Sequence, residues 1–176
     1  MKSFEQLVSE AWDAPFSGWD FSWLEGRHIS PPLSWDYPTL ARDRLSQSRA
    51  VLDMDTGGGE IFASLAPFPP VAHATESYPP NISIARARLE PLGVSLDAAN
   101  TTYQLPYADA TFDLILNRHG SYPPAELMRA LQPGGIFLTQ QVGGKNDIRL
   151  NELLQDRPQH PYAYWDLAYA RKELEA

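Results

Sequence analysis

The fold of this chain is decided by the stretch Val51-Leu52-Asp53-Met54-Asp55-Thr56-Gly57-Gly58-Gly59-Glu60. It begins with apolar residues that end at an acid, passes through three consecutive glycines and continues into residues with helical spacing. A short apolar run bounded by glycine predicts a buried strand. Glycines at a strand-to-helix turn let backbone N–H groups approach a ligand with no side chain in the way. The stretch therefore predicts a nucleotide-type binding turn.

Strands and helices are predicted to alternate on both sides of this turn. Apolar runs predict strands over 50–54, 71–76, 94–96, 112–117 and 136–142. Helical spacing and capping patterns predict helices over 3–12, 39–48, 61–66, 80–92, 123–131 and 164–174, with Thr39 as the cap of the second. This alternation indicates an α/β fold with a mainly parallel sheet and helices on both faces. Ligands of such sheets bind at the carboxyl ends of the strands.

Composition narrows the class of protein. The 176 residues are 43% hydrophobic, which suits one domain with a real core. The net charge of −8 argues against a nucleic-acid partner. Cysteine is absent, and the histidines show no ligand spacing, so no metal site is expected. No signal peptide or apolar run of about 18 residues is present, so we expect a cytoplasmic protein without a membrane segment.

Large aromatic residues are concentrated before the first strand. They are mixed with glycine and proline, which interrupt any long helix or strand. Two interpretations stay open: the segment packs across the core, or it forms a lid over a pocket. The aromatic residues concerned are Phe16, Trp19, Phe21, Trp23, Trp35 and Tyr37.

The glycine turn does not fit a nicotinamide-binding G-x-G-x-x-G pattern, because Asp55 stands two residues before Gly57 and Phe62 three after Gly59. It resembles instead the first motif of the class I S-adenosylmethionine-dependent methyltransferases, apolar-apolar-acid-x-G-x-G-x-G. The matching residues are Val51, Leu52, Asp53, Gly57 and Gly59. Asp55 departs from the motif, since it occupies the first glycine position.

Four further elements follow in the order of that family. Glu76 ends the second strand, where the family places an acid that accepts from the two ribose hydroxyls. Residues 105–115 resemble its L-P-F-x-D-x-S-F-D signature, and residues 131–138 are similar to its L-x-P-G-G turn into the fifth strand. Asn117, Arg118 and His119 follow the fourth strand, where methyltransferases line the methyl-transfer site. The resemblance implies a Rossmann-like fold that binds S-adenosylmethionine.

The resemblance also assigns binding roles. The glycine backbone and the following helix amino terminus would receive the methionine half of the cofactor. Asp53 would hold the loop or contact the cofactor, and Asp55 would either crowd it or pair with its ammonium group. Adenine contacts would come from Ser77 or Tyr78 and from the loop after strand three. The predicted cofactor-binding residues are Asp53, Asp55, Thr56, Gly57, Gly58, Gly59, Glu76, Ser77, Asn100, Thr101 and Asn117.

Methyl transfer depends largely on positioning, because the cofactor supplies the reactive group. His119 is the candidate catalytic base, since its reference pKa of about 6.5 suits proton removal near neutrality. A structural role, in which His119 bonds the adenine side or the loop backbone, is the alternative. The expected activity is methyl transfer to a small-molecule acceptor. The alternatives are a cofactor-binding or structural remnant without turnover and, less favoured by the acidic charge, an RNA methyltransferase.

We expect one methyltransferase-like domain, with a helical and aromatic cap over 1–49, a cofactor-binding core over 50–142 and a tail with a terminal helix over 143–176. Members of the class usually continue into two more strands after the fifth. The sequence ends where the sixth would begin, which suggests a truncated form or a reduced version of the fold. Strand five would then form an exposed sheet edge, and unpaired edges invite association. We therefore predict either a homodimer through this edge or its coverage by residues 143–176.

Overall fold

The computed structural model describes residues 2–15, 22–29, 31–154, 156 and 159–175. Within them, five strands form one sheet in the order β3-β2-β1-β4-β5, and every neighbouring pair is parallel. The predicted parallel α/β fold is confirmed. The strands are β1 Ala50–Met54, β2 Val71–Glu76, β3 Ser95–Ala98, β4 Phe112–Arg118 and β5 Leu131–Gln140.

Helices connect and flank the strands. Their bounds are α1 Phe4–Trp12, α2 Tyr37–Leu45, α3 Glu60–Ala63, α4 Pro79–Leu89, α5 Pro124–Ala130, α6 Ile148–Leu154 and α7 Leu167–Leu174. Short 3-10 helices span Ser22–Leu24 and Glu90–Leu92. In the described parts of the chain, every helix is too short or too polar to span a bilayer.

The sheet separates two hydrophobic cores. Val51 of β1 packs in the core formed with α2, α3 and α4, whereas its neighbour Leu52 packs in the core formed with α5. Successive side chains of a strand point to opposite faces, so a strand buried on both faces must be apolar throughout. All five residues of β1 are buried, and helices cover both faces of the sheet, as the sequence predicts.

The strand order creates a crevice at the carboxyl ends of β1 and β4. From β1 the chain passes outward to β2 and β3, and it then returns to place β4 on the other side of β1. Met54 at the end of β1 pairs with Asn117 near the end of β4. Connections leave this point in opposite directions, which is where open α/β sheets bind ligands.

The signature before β4 has a structural role. The Asp113 carboxylate accepts hydrogen bonds from the Ser48 hydroxyl and from the backbone N–H groups of Arg49 (2.8 Å) and Ala50 (3.1 Å). It thereby fixes the start of β1 beside β4. Asp109 pairs with Arg129 of α5 at 2.9 Å, which ties the same loop to that helix.

Three helix predictions need correction. The cap of α2 is Asp36 rather than Thr39, because the Asp36 carboxylate accepts from the Thr39 N–H at 3.0 Å. The proline that follows Tyr37 suits a first turn, since its missing N–H would have no helical partner there. Helix α3 has four residues instead of the predicted six, and α6 was missed because its short apolar pattern lies within a polar tail.

Strand β5 begins five residues earlier than predicted and ends at Gln140 rather than Val142. In its pairing with β4, Phe112 is opposite Leu131 but Leu114 is opposite Ile136, so the register changes between these two pairs. The predicted turn of residues 133–135 is therefore a bulge inside the strand. Gly134 has φ +79°, a backbone conformation that glycine adopts without steric cost.

The amino-terminal segment is described only in part. The predicted aromatic cap includes residues 16–21 and residue 30, which lie outside the described residues. Trp35 is half-exposed, whereas Tyr37 is buried in the core that α2, α3 and α4 form with the sheet. The predicted helix over 3–12 is present with its Ser3–Gln6 capping box, but none of its residues is buried.

Candidate functional site

The turn after β1 uses left-handed backbone conformations three times. Asp55, Gly57 and Gly59 have φ angles of +54°, +65° and +78°. Glycine adopts such angles freely, and aspartate is among the few other residues that tolerate them. This explains how Asp55 can replace the first glycine of the motif without changing the path of the turn.

Thr75 of β2 anchors the beginning of the turn. Its hydroxyl accepts from the Asp55 N–H at 3.2 Å, and its carbonyl accepts from the Thr56 N–H at 2.9 Å. The Gly59 N–H donates within the turn to the Thr56 carbonyl at 3.1 Å. The N–H groups of Gly57 and Gly58 make no hydrogen bond with any residue that the structure describes. Two backbone donors are therefore left for a ligand.

Helix α4 packs against the other side of the turn. A Cβ on Gly59 would lie 3.0 Å from Leu89 Cγ, so a larger residue would push the turn away from α4. The Arg88 guanidinium donates to the Gly58 carbonyl and pairs with Glu60 at 2.5 Å. These contacts fix the orientation of the Gly58 peptide. Helix α3 itself has one turn only, too little for the helix-dipole contribution that the sequence suggested.

Glu76 is buried at the end of β2, with 5% of its surface exposed. Its Oε1 accepts from the backbone N–H groups of Ser77 at 2.8 Å and Tyr78 at 2.7 Å. Its Oε2 has one long contact, 3.5 Å to Asn81 Nδ2. One carboxylate oxygen thus holds the local loop, and the other is left with free acceptor capacity. Because the Ser77 N–H donates to Glu76, it is not free to bind a ligand.

The Asp55 side chain spans the crevice toward the loops after β3 and β4. Its Oδ1 accepts from the Thr101 hydroxyl at 3.1 Å. Burial raises the pKa of the Asp55 carboxyl and the charge of Glu76 raises it further, while the Thr101 hydroxyl acts in the opposite direction. Asn100 is exposed, and its Oδ1 accepts from the Thr102 N–H at 3.0 Å, so its side chain serves its own loop.

Asp53 is buried below the turn. The pKa of Asp53 is raised to about 7, and burial is the largest cause. The charge of Asp55 also raises it, whereas the Thr56 hydroxyl and Arg118 lower it. The Thr56 hydroxyl nevertheless has no hydrogen-bond partner among the described residues, and neither do Tyr37 Oη and Asn81 Oδ1. Buried polar groups without partners are rare in proteins. Here Thr56 adjoins Asp53 and Asn81 adjoins Glu76, so these two unsatisfied atoms lie beside the acids of the site.

Asn117 joins three strands at the base of the crevice. Its Oδ1 accepts from Gln141 Nε2 at 2.5 Å and from the Thr139 hydroxyl at 3.3 Å. Its Nδ2 lies 3.5 Å from the Met54 carbonyl. Gln141 also donates to the Gly120 carbonyl at 2.9 Å, so this network holds the loop that carries His119.

His119 has a left-handed backbone, with φ +67°, and its N–H donates to the Gln140 carbonyl at 2.9 Å. Gln140 Oε1 accepts from Trp35 Nε1 at 3.1 Å, so the nitrogen of the same amide donates to His119 Nε2 at 3.3 Å. Burial lowers the pKa of His119, and Arg118 lowers it further. The imidazole is therefore neutral near pH 7, with Nε2 as its acceptor.

A groove of about 570 Å³ is lined by Arg118, which precedes His119 in the chain, and by Gln140, which is hydrogen-bonded to His119; His119 itself does not line it. The groove lies between the segment before α2 and the carboxyl ends of β4 and β5. Its volume is in the usual range for small-molecule sites. The lining residues are Pro32, Leu33, Ser34, Trp35, Asp36, Tyr37, Pro38, Ile61, Arg118 and Gln140.

Most of the predicted cofactor-binding residues lie around one crevice. Asp53, Asp55 with Thr101, the three glycines and Glu76 are at the ends of neighbouring strands, whereas Asn100 turns away. Sequence reasoning missed Thr75 and Gln140. Thr75 has no distinguishing pattern, because a threonine in a strand is ordinary. The contact of Gln140 with Trp35 joins residues 105 positions apart, which no local pattern encodes.

No family model matches the chain. Two curated relatives are similar in sequence, both named ubiquinone biosynthesis O-methyltransferase. The relative from Cereibacter sphaeroides is 32% identical over 77% of this chain and 60% of its own length. The relative from Dinoroseobacter shibae is 28% identical over 78% of this chain and 60% of its own length. The chain thus spans about 60% of the length of the curated relatives it matches.

The fold is similar to that of solved methyltransferase structures. A SAM-dependent methyltransferase from Aquifex aeolicus superposes with a TM-score of 0.59 at 18% identity, covering 89% of this chain and 87% of its own. That likeness concerns the fold, and the sequence similarity comes from the curated relatives. The sequence similarity to the curated relatives and the likeness of fold support a class I S-adenosylmethionine-dependent methyltransferase, the class that the sequence motifs resemble.

Gly120→Ala tests the packing of this crevice. A Cβ at residue 120 would lie 2.5 Å from Asp55 Oδ2 and 2.7 Å from Asn117 Nδ2, so both side chains must move. We expect a loss of about 1–3 kcal/mol in the free energy of unfolding, measured by urea denaturation. Gly143→Ala is the matched control, since nothing lies within 4 Å of its added Cβ. Equal stability of the two variants would contradict the described packing.

Proposed function

We propose that the chain binds S-adenosylmethionine across the carboxyl ends of β1 and β2 and transfers its methyl group to a hydroxyl of a small molecule. The observation that carries the proposal is the set of unsatisfied groups around the crevice. Gly57 and Gly58 offer free N–H groups, and Glu76 offers Oε2. Such groups suit a ligand that combines a carboxylate, an ammonium group and ribose hydroxyls.

The charges of the crevice support the same ligand. Asp53 is buried and Asp55 is partly buried close to it, and burial raises the pKa of both carboxyls. A bound ammonium or sulfonium cation would favour their ionised forms. The Gly57 and Gly58 N–H groups would receive the ligand carboxylate, and Glu76 Oε2 a ribose hydroxyl. S-adenosylmethionine, when bound, would supply an electrophilic methyl group.

The acceptor is proposed from the relatives and from the groove. Both curated relatives are named O-methyltransferases, which supports a hydroxyl acceptor. His119 Nε2 would take the proton of that hydroxyl, a role that its lowered pKa permits at neutral pH. Taking a proton there would require the Gln140 amide to release Nε2. In the alternative role His119 only holds the loop after β4.

Cofactor binding tests the first half of the proposal. We expect S-adenosylhomocysteine to bind with micromolar affinity in titration calorimetry, and Glu76→Gln to weaken binding about tenfold or more, because a charged acceptor is lost. Glu90→Gln is the control, since this exposed residue pairs with Arg86 at the end of α4. No heat at millimolar ligand would contradict the site, and an unchanged affinity of Glu76→Gln would contradict its assigned role.

Turnover distinguishes an enzyme from a remnant. We expect release of S-adenosylhomocysteine only when a hydroxylated acceptor is added. Because the pKa of His119 is lowered from 6.5, kcat should decrease at acidic pH as His119 becomes protonated. His119→Gln should lower kcat about 10²-fold and remove this acidic limb, while cofactor affinity is unchanged. Cofactor binding without acceptor-dependent release would favour a remnant without turnover. If the decrease of kcat at acidic pH persists in His119→Gln, His119 is not the base and only holds the loop after β4.

A homodimer through β5 is part of the proposal. Among the described strands β5 pairs with β4 alone, and its outer edge carries no described strand. Free edges pair with other chains. We expect sedimentation equilibrium at tens of micromolar to give twice the 19.7 kDa mass of the chain. A strict monomer at that concentration would contradict pairing through this edge.

A further inference from the structure

Gln140 forms hydrogen bonds on both sides of its side-chain amide. Its Oε1 accepts from the indole N–H of Trp35 at 3.1 Å, and its Nε2 lies 3.3 Å from His119 Nε2. The two neighbours come from distant parts of the chain, since Trp35 precedes α2 and His119 follows β4. The amide therefore joins the segment before α2 to the histidine.

Trp35 fixes the direction of this amide. An indole N–H can donate but cannot accept, so it must face the oxygen of the Gln140 amide. The amide nitrogen then faces His119, and because an NH₂ group only donates, His119 Nε2 must accept. The contact thus selects the neutral imidazole with its proton on Nδ1. A hydrogen bond to the neutral form of a group opposes its ionisation.

The backbone holds Gln140 beside His119 independently of Trp35, because the His119 N–H donates to the Gln140 carbonyl at 2.9 Å. Without the indole, the amide can turn over and direct Oε1 at His119 Nε2, which would favour a proton on that nitrogen. Among the described contacts of this amide, the one with Trp35 distinguishes the two directions.

The charged groups around His119 are separate from this contact. Burial lowers the pKa of His119, and Arg118, which precedes it, lowers the pKa further. Asp55 Oδ2 lies beside the loop that carries the histidine. Asp36 adjoins Trp35 in the chain and caps α2. A substitution of Trp35 leaves these three charged residues in place.

We propose that Trp35 is a positioning residue, which acts through the Gln140 amide to hold His119 Nε2 free of a proton and to set the tautomer of the imidazole. Its meaning for catalysis rests on the proposed function, in which this nitrogen takes the proton of the acceptor hydroxyl. Trp35 and Gln140 both line the groove, so the state of the histidine is linked to the position of the groove wall. The contact keeps the base unprotonated but covered until the Gln140 side chain moves.

The experiment follows the imidazole nitrogens of His119 by heteronuclear NMR across pH, in protein without cofactor or acceptor. We expect the proton of the neutral ring on Nδ1. Trp35→Phe keeps an apolar ring but removes the indole N–H, so the proton should shift to Nε2 and the pKa of His119 should rise. Trp23→Phe is the matched control, since the Trp23 ring packs against the Arg27 guanidinium at 4.2 Å and its substitution should change neither quantity.

Gln140→Glu tests whether Trp35 acts through the amide. Both oxygens of a carboxylate accept, so His119 should carry a proton on Nε2 and its pKa should rise. Adding Trp35→Phe to this variant should then have little further effect, because the carboxylate has no donor to turn away.

An unchanged tautomer in Trp35→Phe would overturn the inference, and so would an equal rise in pKa when Trp35→Phe is added to Gln140→Glu. The unaltered protein provides a second measurement. The indole N–H resonance of Trp35 should move as His119 titrates, and a resonance that does not respond over that pH range would also overturn the inference.

These measurements separate the inference from methyl transfer. In an active protein, the decrease of kcat at acidic pH should begin at a higher pH in Trp35→Phe, because the base is then protonated more readily. The expected tautomer change in a protein that does not bind S-adenosylhomocysteine supports the role of Trp35 and contradicts the proposed function. Acceptor-dependent turnover with an unchanged tautomer contradicts the role of Trp35 alone.

Discussion

The hydrogen bonds from the turn after β1 to Thr75 are the constraint on which the site depends. Strand β1 is buried on both faces between β2 and β4, so the chain must leave the sheet at its centre with its backbone groups satisfied. Thr75 satisfies two of them, the N–H groups of Asp55 and Thr56. This fixes the entry to the turn, and the next two N–H groups are left free in the crevice.

The crevice and the groove have opposite electrostatic characters. The carboxyl groups of Asp53, Asp55 and Glu76 lie at the ends of β1 and β2, whereas Arg118 at the end of β4 supplies a positive charge beside the aromatic walls. Arg118 lowers the pKa of Asp53, but burial has the larger effect and raises it.

Local patterns predicted the sheet well, because apolar runs and turn residues are properties of adjacent positions. The sequence prediction matches β1 and β2 to the residue. It failed where tertiary contacts decide the outcome. Asp36 outcompetes Thr39 as a cap, and pairing with β4 extends β5 back to Leu131. In the site, Glu76 could be placed at the end of β2, but the engagement of its Oε1 by the loop depends on folded geometry.

Asp55 shows why a departure from a motif has to be judged in three dimensions. A glycine at this position serves a left-handed backbone, and aspartate can meet the same requirement at some steric cost. The carboxylate then needs space, which the glycine at residue 120 provides on the facing loop, and a partner, which Thr101 provides. A substitution that looks unfavourable in the motif is thus accommodated by two residues outside it. Because the Thr101 contact leaves the second carboxylate oxygen available, the aspartate can hold the loop and still present negative charge to a cation.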